Sequence, residues 1–318
     1  MEFGFEETFP QLDLVPEPIG ESLREMILYY IQAKPKKGKL PKLSGYNVCK
    51  VVDEKGEICC LFKTYTHEKY TKLEPAVYLL DHPPQGHRSV FASCLGLSGV
   101  PPTIFFRSKE ESGCLVKYVG HDSVAGEVND GLQTLPEEIQ KLCVTHIRFG
   151  CTDAHDGNTL VKRDEKGIDR LIPVDHEESF NNGFKLGTLW WTEVAASKEA
   201  FSSKLVKYVR DLDVERDVAF LKKAGWEVSS SFTKHFDIFT HFLKKSVELL
   251  LSPYEIGILA LGAFKRFPNY NLHEIVNTAD RSHGDSIFIK SAKEKIDQSL
   301  TEYVLKVHNR RVGKKPSK

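Results

Sequence analysis

An α+β fold with two unlike lobes is predicted from the order in which periodicities occur along the chain. Before residue 120 short apolar runs alternate with turn residues, and one helical segment interrupts them. After residue 135 apolar residues recur mainly at helical spacing. Strands first and helices later give lobes of different make-up. The length, 318 residues, suffices for one large or two modest domains with a real core. The 41% hydrophobic and 28% charged content is that of a globular protein.

Residues 1–20 read as an extended arm carrying Pro10, Pro16 and Pro18, and Glu21 to Gln32 has helical spacing. Ala33 to Lys42 is a basic loop, either a solvated linker or a place for anionic lipid or phosphate. Tyr46–Val52 and Ile58–Lys63 are strands of a hairpin turning at Asp53–Glu57, preceded by the short turn Leu43-Ser44-Gly45. Lys63 closes an apolar strand. It either finds an anionic partner there or snorkels to the surface. Glu74 opens a helix with Pro75 in its first turn, placed to pair with Lys63 or simply to favour the helix start. Gly99–Phe106 is a turn feeding a strand, and Cys114–Val119 is another strand. Further on, Phe201–Lys223 and Phe232–Leu251 carry apolar stripes that predict core helices. The predicted organisation is an arm at 1–20, a first lobe at 21–119, a helical lobe at 120–305 and a basic tail at 306–318.

Composition narrows the function. Basic and acidic residues balance at 44 each, so no global field draws the chain to nucleic acid or to membranes. Seven cysteines lie scattered without Cys-x-x-Cys spacing, which argues against a disulfide framework or a zinc site and for a reducing, cytoplasmic setting. Cys59-Cys60 lies in a predicted strand and reads as core packing rather than a lipid anchor. The acidic start Met1–Glu7 lacks the features of a signal peptide. Val247–Phe264 is apolar, but Glu248, Ser252, Pro253 and Glu255 make it a buried helix pair rather than a membrane span. His235 and His241 do not share a helical face and are not read as metal ligands.

The richest segment is Thr152-Asp153-Ala154-His155-Asp156-Gly157-Asn158, followed by an apolar run ending in Val174-Asp175. Phosphoryl transfer needs an acidic residue facing the acceptor hydroxyl and two oxygen ligands facing Mg²⁺. An Asp, an Asn five residues later and a second Asp after a hydrophobic segment supply all three. An acidic turn between strands would use the same residue types.

Several blocks, in order, resemble the phosphatidylinositol 3-/4-kinase superfamily and within it the type II and plant gamma-type 4-kinase branch. They are Ser44-Gly45 with the hairpin to Lys63, Ala76–His82, Ser98–Thr103, Thr152–Val161 and Leu171–His176. Trp190-Trp191 and the helices up to Leu261 resemble the family's C-terminal lobe, so the likeness covers residues 40–262. Bacterial persistence-toxin serine kinases share the Thr-Asp-Ala-His-x-x-Asn pattern more distantly. The resemblance implies a bilobed protein-kinase-like fold, with an antiparallel-sheet N-lobe and a mostly helical C-lobe. It implies that Lys63 contacts the ATP phosphates, that Glu74 holds it, and that Ser44 and Gly45 cover the phosphates. Lys117, Tyr118 and Val119 would lead to the adenine. Asp153 would be the catalytic acid/base group, and Asn158 and Asp175 would hold Mg²⁺, or Mn²⁺ in its place. His155 would assist the transferring phosphate or make a structural hydrogen bond.

Some positions depart from the family pattern. Ala154 replaces the usual Arg, and Trp191–Ala195 replaces a Trp-Pro-Gln-Ala stretch. Glu177 and Glu178 make the start of the activation segment acidic. The resemblance implies an ATP-dependent lipid kinase, cytoplasmic and peripheral at membranes, acting on phosphatidylinositol. A Ser/Thr protein kinase is the alternative, because an acidic segment suits a basic polypeptide. The intact set Lys63, Asp153, Asn158 and Asp175 argues against a pseudokinase. The basic end, Lys306–Lys318, would add attraction to an anionic surface or finish the chain in disorder.

Overall fold

The computed structural model contains the predicted hairpin, with residues 47–52 paired antiparallel to residues 58–64. The structure describes residues 10–15, 19–33, 47–53, 55–65, 68–82, 96–107, 111–128, 131–180, 183–262, 270–282 and 284–313. Most of the predicted arm and basic linker, with Ser44 and Gly45, fall outside these residues. The first elements are α1 (Ile19–Ala33), β1 (Asn47–Val52), β2 (Ile58–Thr64), α2 (Glu68–Thr71) and α3 (Leu73–Asp81). Then come β3 (Thr103–Arg107), β4 (Ser112–Lys117), β5 (Ser123–Val124), α4 (Ala125–Val128) and α5 (Pro136–Arg148). The middle of the chain holds β6 (Asp153–Ala154), β7 (Thr159–Arg163), β8 (Asp169–Pro173) and β9 (Thr188–Leu189). Helices complete it: α6 (Ser203–Arg210), α7 (Val214–Lys223), α8 (Ser230–Glu248), α9 (Pro253–Leu261), α10 (Leu272–Asn277) and α11 (Asp285–Gly313). The α+β class stands, with antiparallel sheets early and helices late.

Contacts group the chain into two compact units. The first comprises Met1–Leu132, Gly157–Ser179 and Glu215–Val228; the second comprises Gln133–Asp156, Phe180–Val214 and Ser229–Lys318. The first unit is built on an antiparallel sheet of order β1-β2-β4-β3. Val48 lies opposite Lys63, Lys50 opposite Leu61 and Lys63 opposite Cys114. From α1, the Tyr30 ring meets Phe62 at 4.4 Å and Phe106 at 4.9 Å between centroids. Every residue of α3 from Glu74 to Asp81 is buried. The edge strand β3 is covered by a side chain. Gln11 Nε2–H donates to the Thr103 carbonyl (2.6 Å) and its Oε1 accepts from Phe105 N–H (3.3 Å), standing in for a neighbouring strand. A second antiparallel sheet, β5-β7-β8, closes its hairpin with the Arg163 fork on buried Asp169 at 2.7 and 3.0 Å. At the open end of that hairpin, Val174 N–H donates to the Asn158 carbonyl (3.0 Å). Asn158 and the residue before Asp175 are thereby joined.

In the second unit α5 is buried along most of its length. Trp191 is fully buried, and its indole N–H donates to His146 Nδ1 (3.0 Å). The buried Arg148 guanidinium lies 4.8 Å from the Phe236 ring centre and 5.5 Å from that of Phe149. The predicted helix at Phe201–Lys223 divides into α6, in this unit, and α7, which from Glu215 on belongs to the first; Ser202 caps α6 by accepting from Leu205 N–H. The apolar stretch after residue 247 is indeed two helices. Leu250 breaks it at φ 59, and Ser252 and Glu255 form a capping box around Pro253. Among the described residues no helix is long and apolar enough to cross a membrane. The ion pairs Lys234–Asp285 (2.9 Å) and Lys293–Asp237 (2.7 Å) join α8 to α11, as does a hydrogen bond from His241 Nε2–H to Asp297 Oδ1 (2.8 Å). α11 continues to Gly313, so the chain is helical there rather than disordered from Lys306, since no proline intervenes before Pro316.

A two-residue parallel pairing joins β6 to β9, with Asp153 opposite Thr188 and Ala154 opposite Leu189. Just before it, a Cβ at Gly187 would lie 1.9 Å from the Thr152 carbonyl oxygen. Only glycine permits this approach. Gly187→Ala is therefore expected to raise hydrogen–deuterium exchange at residues 152–155 and 186–189 while leaving α8 and α11 protected. Trp191→Ala removes a fully buried indole. It is expected to lower the unfolding free energy by about 3–5 kcal/mol in urea titration.

Candidate active site

The strand-end lysine of the β1–β2 hairpin does find anionic partners. Lys63 Nζ lies 2.6 Å from Glu74 Oε1, in the first turn of α3, and 3.0 Å from Asp175 Oδ1, just beyond β8. Tyr65 donates its hydroxyl to the same Glu74 oxygen at 2.8 Å. Asp175 holds the left-handed backbone region at φ 63, which is uncommon for a residue with a Cβ.

Burial and charge act against each other here. Burial pulls the Lys63 pKa down, but the Glu74 and Asp175 carboxylates outweigh it and leave it raised. Burial pushes Glu74 up, against the pull of Lys63. Its Oε1 nevertheless receives two donors at short range, an arrangement that suits a carboxylate acceptor. Burial also pushes Asp175 up, yet the Lys63 charge and hydrogen bond win and its carboxyl lies below the usual range. His176 is driven down to about 4 by burial, and its Nε2–H donates to the Pro173 carbonyl (3.3 Å), so it is a neutral wedge. Glu177 is pushed up to about 7, by burial first and then by the Asp175 charge.

Lys63, Glu74, Asp175 and His176 border a cavity of ≈ 370 Å³ within the first unit. Val48, Leu61, Val100, Val116, Leu160 and Val174 form its apolar wall, while Lys63, Glu74, Asn158 and Asp175 supply its polar lining. Lys117, Tyr118 and Val119 border it too, where the chain leaves β4. Tyr118 N–H donates to the Cys59 carbonyl (3.1 Å), and the Val119 carbonyl accepts from His121 Nδ1–H (3.0 Å). An apolar slot with few polar groups is the usual form of a small-molecule site. Asp175 and Asn158 carry hard oxygen donors, which fit Mg²⁺. Glu74, Asp175 and Glu177 offer carboxylate oxygens that all lie within 4.8 Å of one another. The Lys63 ammonium on Asp175 Oδ1 shows that this oxygen already faces positive charge. The donor set therefore fits a divalent cation.

The cavity brings together seven of the sequence-predicted residues: Lys63, Glu74, Lys117, Tyr118, Val119, Asn158 and Asp175. Ser44 and Gly45 lie outside the described residues. Asp153 and His155 belong to the second unit and cluster there. His155 Nε2 is 3.8 Å from Asp153 Oδ2, and its Nδ1 is 3.9 Å from Asp156 Oδ1, with all three side chains about half exposed. Sequence reasoning missed Val48, Lys50, Leu61 and Tyr65. Counting every second residue outward from Lys63, and across its strand partners, would have found them. It also missed Val100, His121 and Leu160, for which no local pattern exists.

Comparison with known proteins agrees with this geometry. Residues 49–256, well over half of the chain, match the family described as phosphatidylinositol 3- and 4-kinase. The chain is similar to phosphatidylinositol 4-kinase gamma 2 of Arabidopsis thaliana, with 32% identity over 251 residues, 72% of this chain and 45% of the relative. It is similar to gamma 4 of the same plant at 33% over 198 residues, 58% and 35% of the two chains. Gamma 4 of Oryza sativa subsp. japonica is 30% identical over 246 residues, 74% and 42%. The matched region spans less than half the length of these curated relatives. With the family match running from β1 into α9, across Lys63, Glu74, Asn158 and Asp175, the chain belongs to the phosphatidylinositol 3- and 4-kinase family.

Proposed function

We propose that this chain is an ATP-dependent lipid kinase that transfers the γ-phosphate to a hydroxyl of a phosphatidylinositol headgroup. The observation that carries this reading is the Lys63–Glu74–Asp175 cluster in the wall of an apolar cavity, in a chain of this family. The relatives are named for the substrate. In this reading residues 21–119 form the ATP-covering lobe and 120–305 the lobe with the catalytic and metal loops. The acceptor lies in a bilayer, so the chain works peripherally at a membrane surface.

Each residue has a physical task. The cavity wall from Val48 to Val116 takes the adenine, with the backbone at Lys117–Val119 along its edge. Lys63, fixed by Glu74, directs its ammonium to phosphate oxygens, a point charge that the Tyr65 hydroxyl helps to orient through Glu74. Asp153 accepts the proton of the attacking hydroxyl, and His155 stands beside it to donate to the transferring phosphate. Asn158 and Asp175 hold Mg²⁺, and the lowered pKa of Asp175 keeps it the anion a metal ligand must be. The ion, when bound, neutralises charge on the phosphates. Ser44 and Gly45 enter this reading from the sequence alone.

The test is transfer of labelled γ-phosphate from ATP and Mg²⁺ to phosphatidylinositol vesicles, with a basic protein mixture in parallel. Label in the lipid is expected. Label only in protein would make the chain a protein kinase, and no label with ATP bound would make it a pseudokinase. Asp153→Asn is expected to lower kcat by about 10²–10⁴-fold while leaving ATP affinity near wild type. Asp175→Asn is expected to abolish transfer and also to weaken Mg²⁺-ATP binding, as read by calorimetry with and without EDTA.

A further inference from the structure

The helix that presents Glu74 carries a second buried carboxylate at its other end. Asp81 is 2% exposed and occupies the last turn of α3, where the helix dipole disfavours negative charge. Its presence there is not explained by helix stability. Beside the neighbouring His82 Nδ1, 3.5 Å from Oδ2, the carboxylate reaches well downstream: Oδ1 accepts from Ser98 Oγ–H (2.7 Å) and Ser98 N–H (3.0 Å), and Oδ2 from Val100 N–H (3.3 Å). The Asp81 carbonyl also accepts from Leu97 N–H (3.0 Å). The turn held in this way uses left-handed backbone at Gly96 (φ 62) and Gly99 (φ 77). A Cβ at Gly96 would sit 2.5 Å from Asp81 Oδ2. This turn delivers Val100, Pro101 and Thr103 to the cavity wall. It is also tied to the end of β4, because Lys117 N–H donates to the Pro102 carbonyl (2.8 Å) and Thr103 lies opposite Val116. Beyond that point the chain runs into Tyr118 and Val119.

We propose that Asp81 is a positioning residue for the nucleotide base: its carboxylate sets the Val100–Pro101 wall against the end of β4. Through α3 it holds that wall in fixed relation to Glu74, and so to Lys63. A single buried helix thus links the base wall to the phosphate-binding lysine. The inference rests on reading the cavity as an ATP site.

The test compares adenosine, which samples the base wall alone, with ATP, which also samples Lys63. Calorimetry on the full chain would be paired with melting temperature and steady-state kinetics. Asp81→Ala is expected to weaken adenosine and ATP by the same factor, about tenfold, the effect of losing a hydrogen bond to a carboxylate. KM for ATP should rise by that factor, with kcat at saturating ATP within about twofold. Asp81→Asn keeps an acceptor for Ser98 and should recover much of the loss. Gly96→Ala, which displaces the carboxylate without removing it, should reproduce the defect. Glu74→Gln, on the phosphate side, should weaken ATP and spare adenosine. If Asp81→Ala does not fold, Asp81→Asn and Gly96→Ala carry the comparison. Lower melting temperatures with wild-type adenosine affinity would assign Asp81 to stability alone and overturn the proposal. A wild-type chain that binds neither adenosine nor ATP would overturn the nucleotide reading itself, and this proposal with it.

Discussion

Burying an ammonium group is tolerable only where carboxylates stand within hydrogen-bond reach, and Lys63 has two, Glu74 at 2.6 Å and Asp175 at 3.0 Å. Reaching the first requires α3 to lie with its whole length in the interior of the first unit. Reaching the second requires the β7–β8 hairpin to end where it does and Asp175 to take up a backbone conformation few residues adopt. Two elements far apart in sequence are thus fixed by one cation. The adjacent His176 stays neutral because burial offers it no counter-charge strong enough, so the positive charge at this corner belongs to Lys63.

The second unit relies on close backbone approach rather than charge. Gly187 lets the segment before β9 meet Thr152, and the Asp153–Thr188 pairing follows at once. The loop carrying Asp153, the proposed acid/base residue, gains a defined backbone from this without drawing on its side chains. Behind it, Trp191 and Arg148 fill the interior with large side chains whose polar atoms meet His146 and aromatic faces.

Much of this was legible in the residues. The hairpin around Lys63 shows in its two strand-forming runs and its Asp53–Glu57 turn, and α3 shows in Glu74-Pro75. The Asp153/Asn158/Asp175 spacing pointed to phosphoryl transfer because that chemistry restricts residue type more than most folds do. What stayed hidden depends on pairings that no local pattern encodes. The order β1-β2-β4-β3 places β3 at an edge, and only then can Val100 and Pro101 border the cavity and Gln11 cover the strand. Asp81 looks like an ordinary helix-end residue until Ser98, seventeen positions later, is seen to need it. Helix ends were readable where a serine or a proline marks them, as at Ser252-Pro253. α11 overran the expected tail because nothing before Gly313 stops it.

Asp175 carries one more consequence. At φ 63 its backbone would be most comfortable as glycine, and a Cβ there costs on the order of 1 kcal/mol. Losing that Cβ would relieve the backbone but would also strip the buried Lys63 ammonium of one of its two carboxylates. Backbone strain at residue 175 and charge pairing with Lys63 therefore pull in opposite directions. A substitution that relaxes the backbone at residue 175 should therefore stabilise the chain only when Lys63 changes with it.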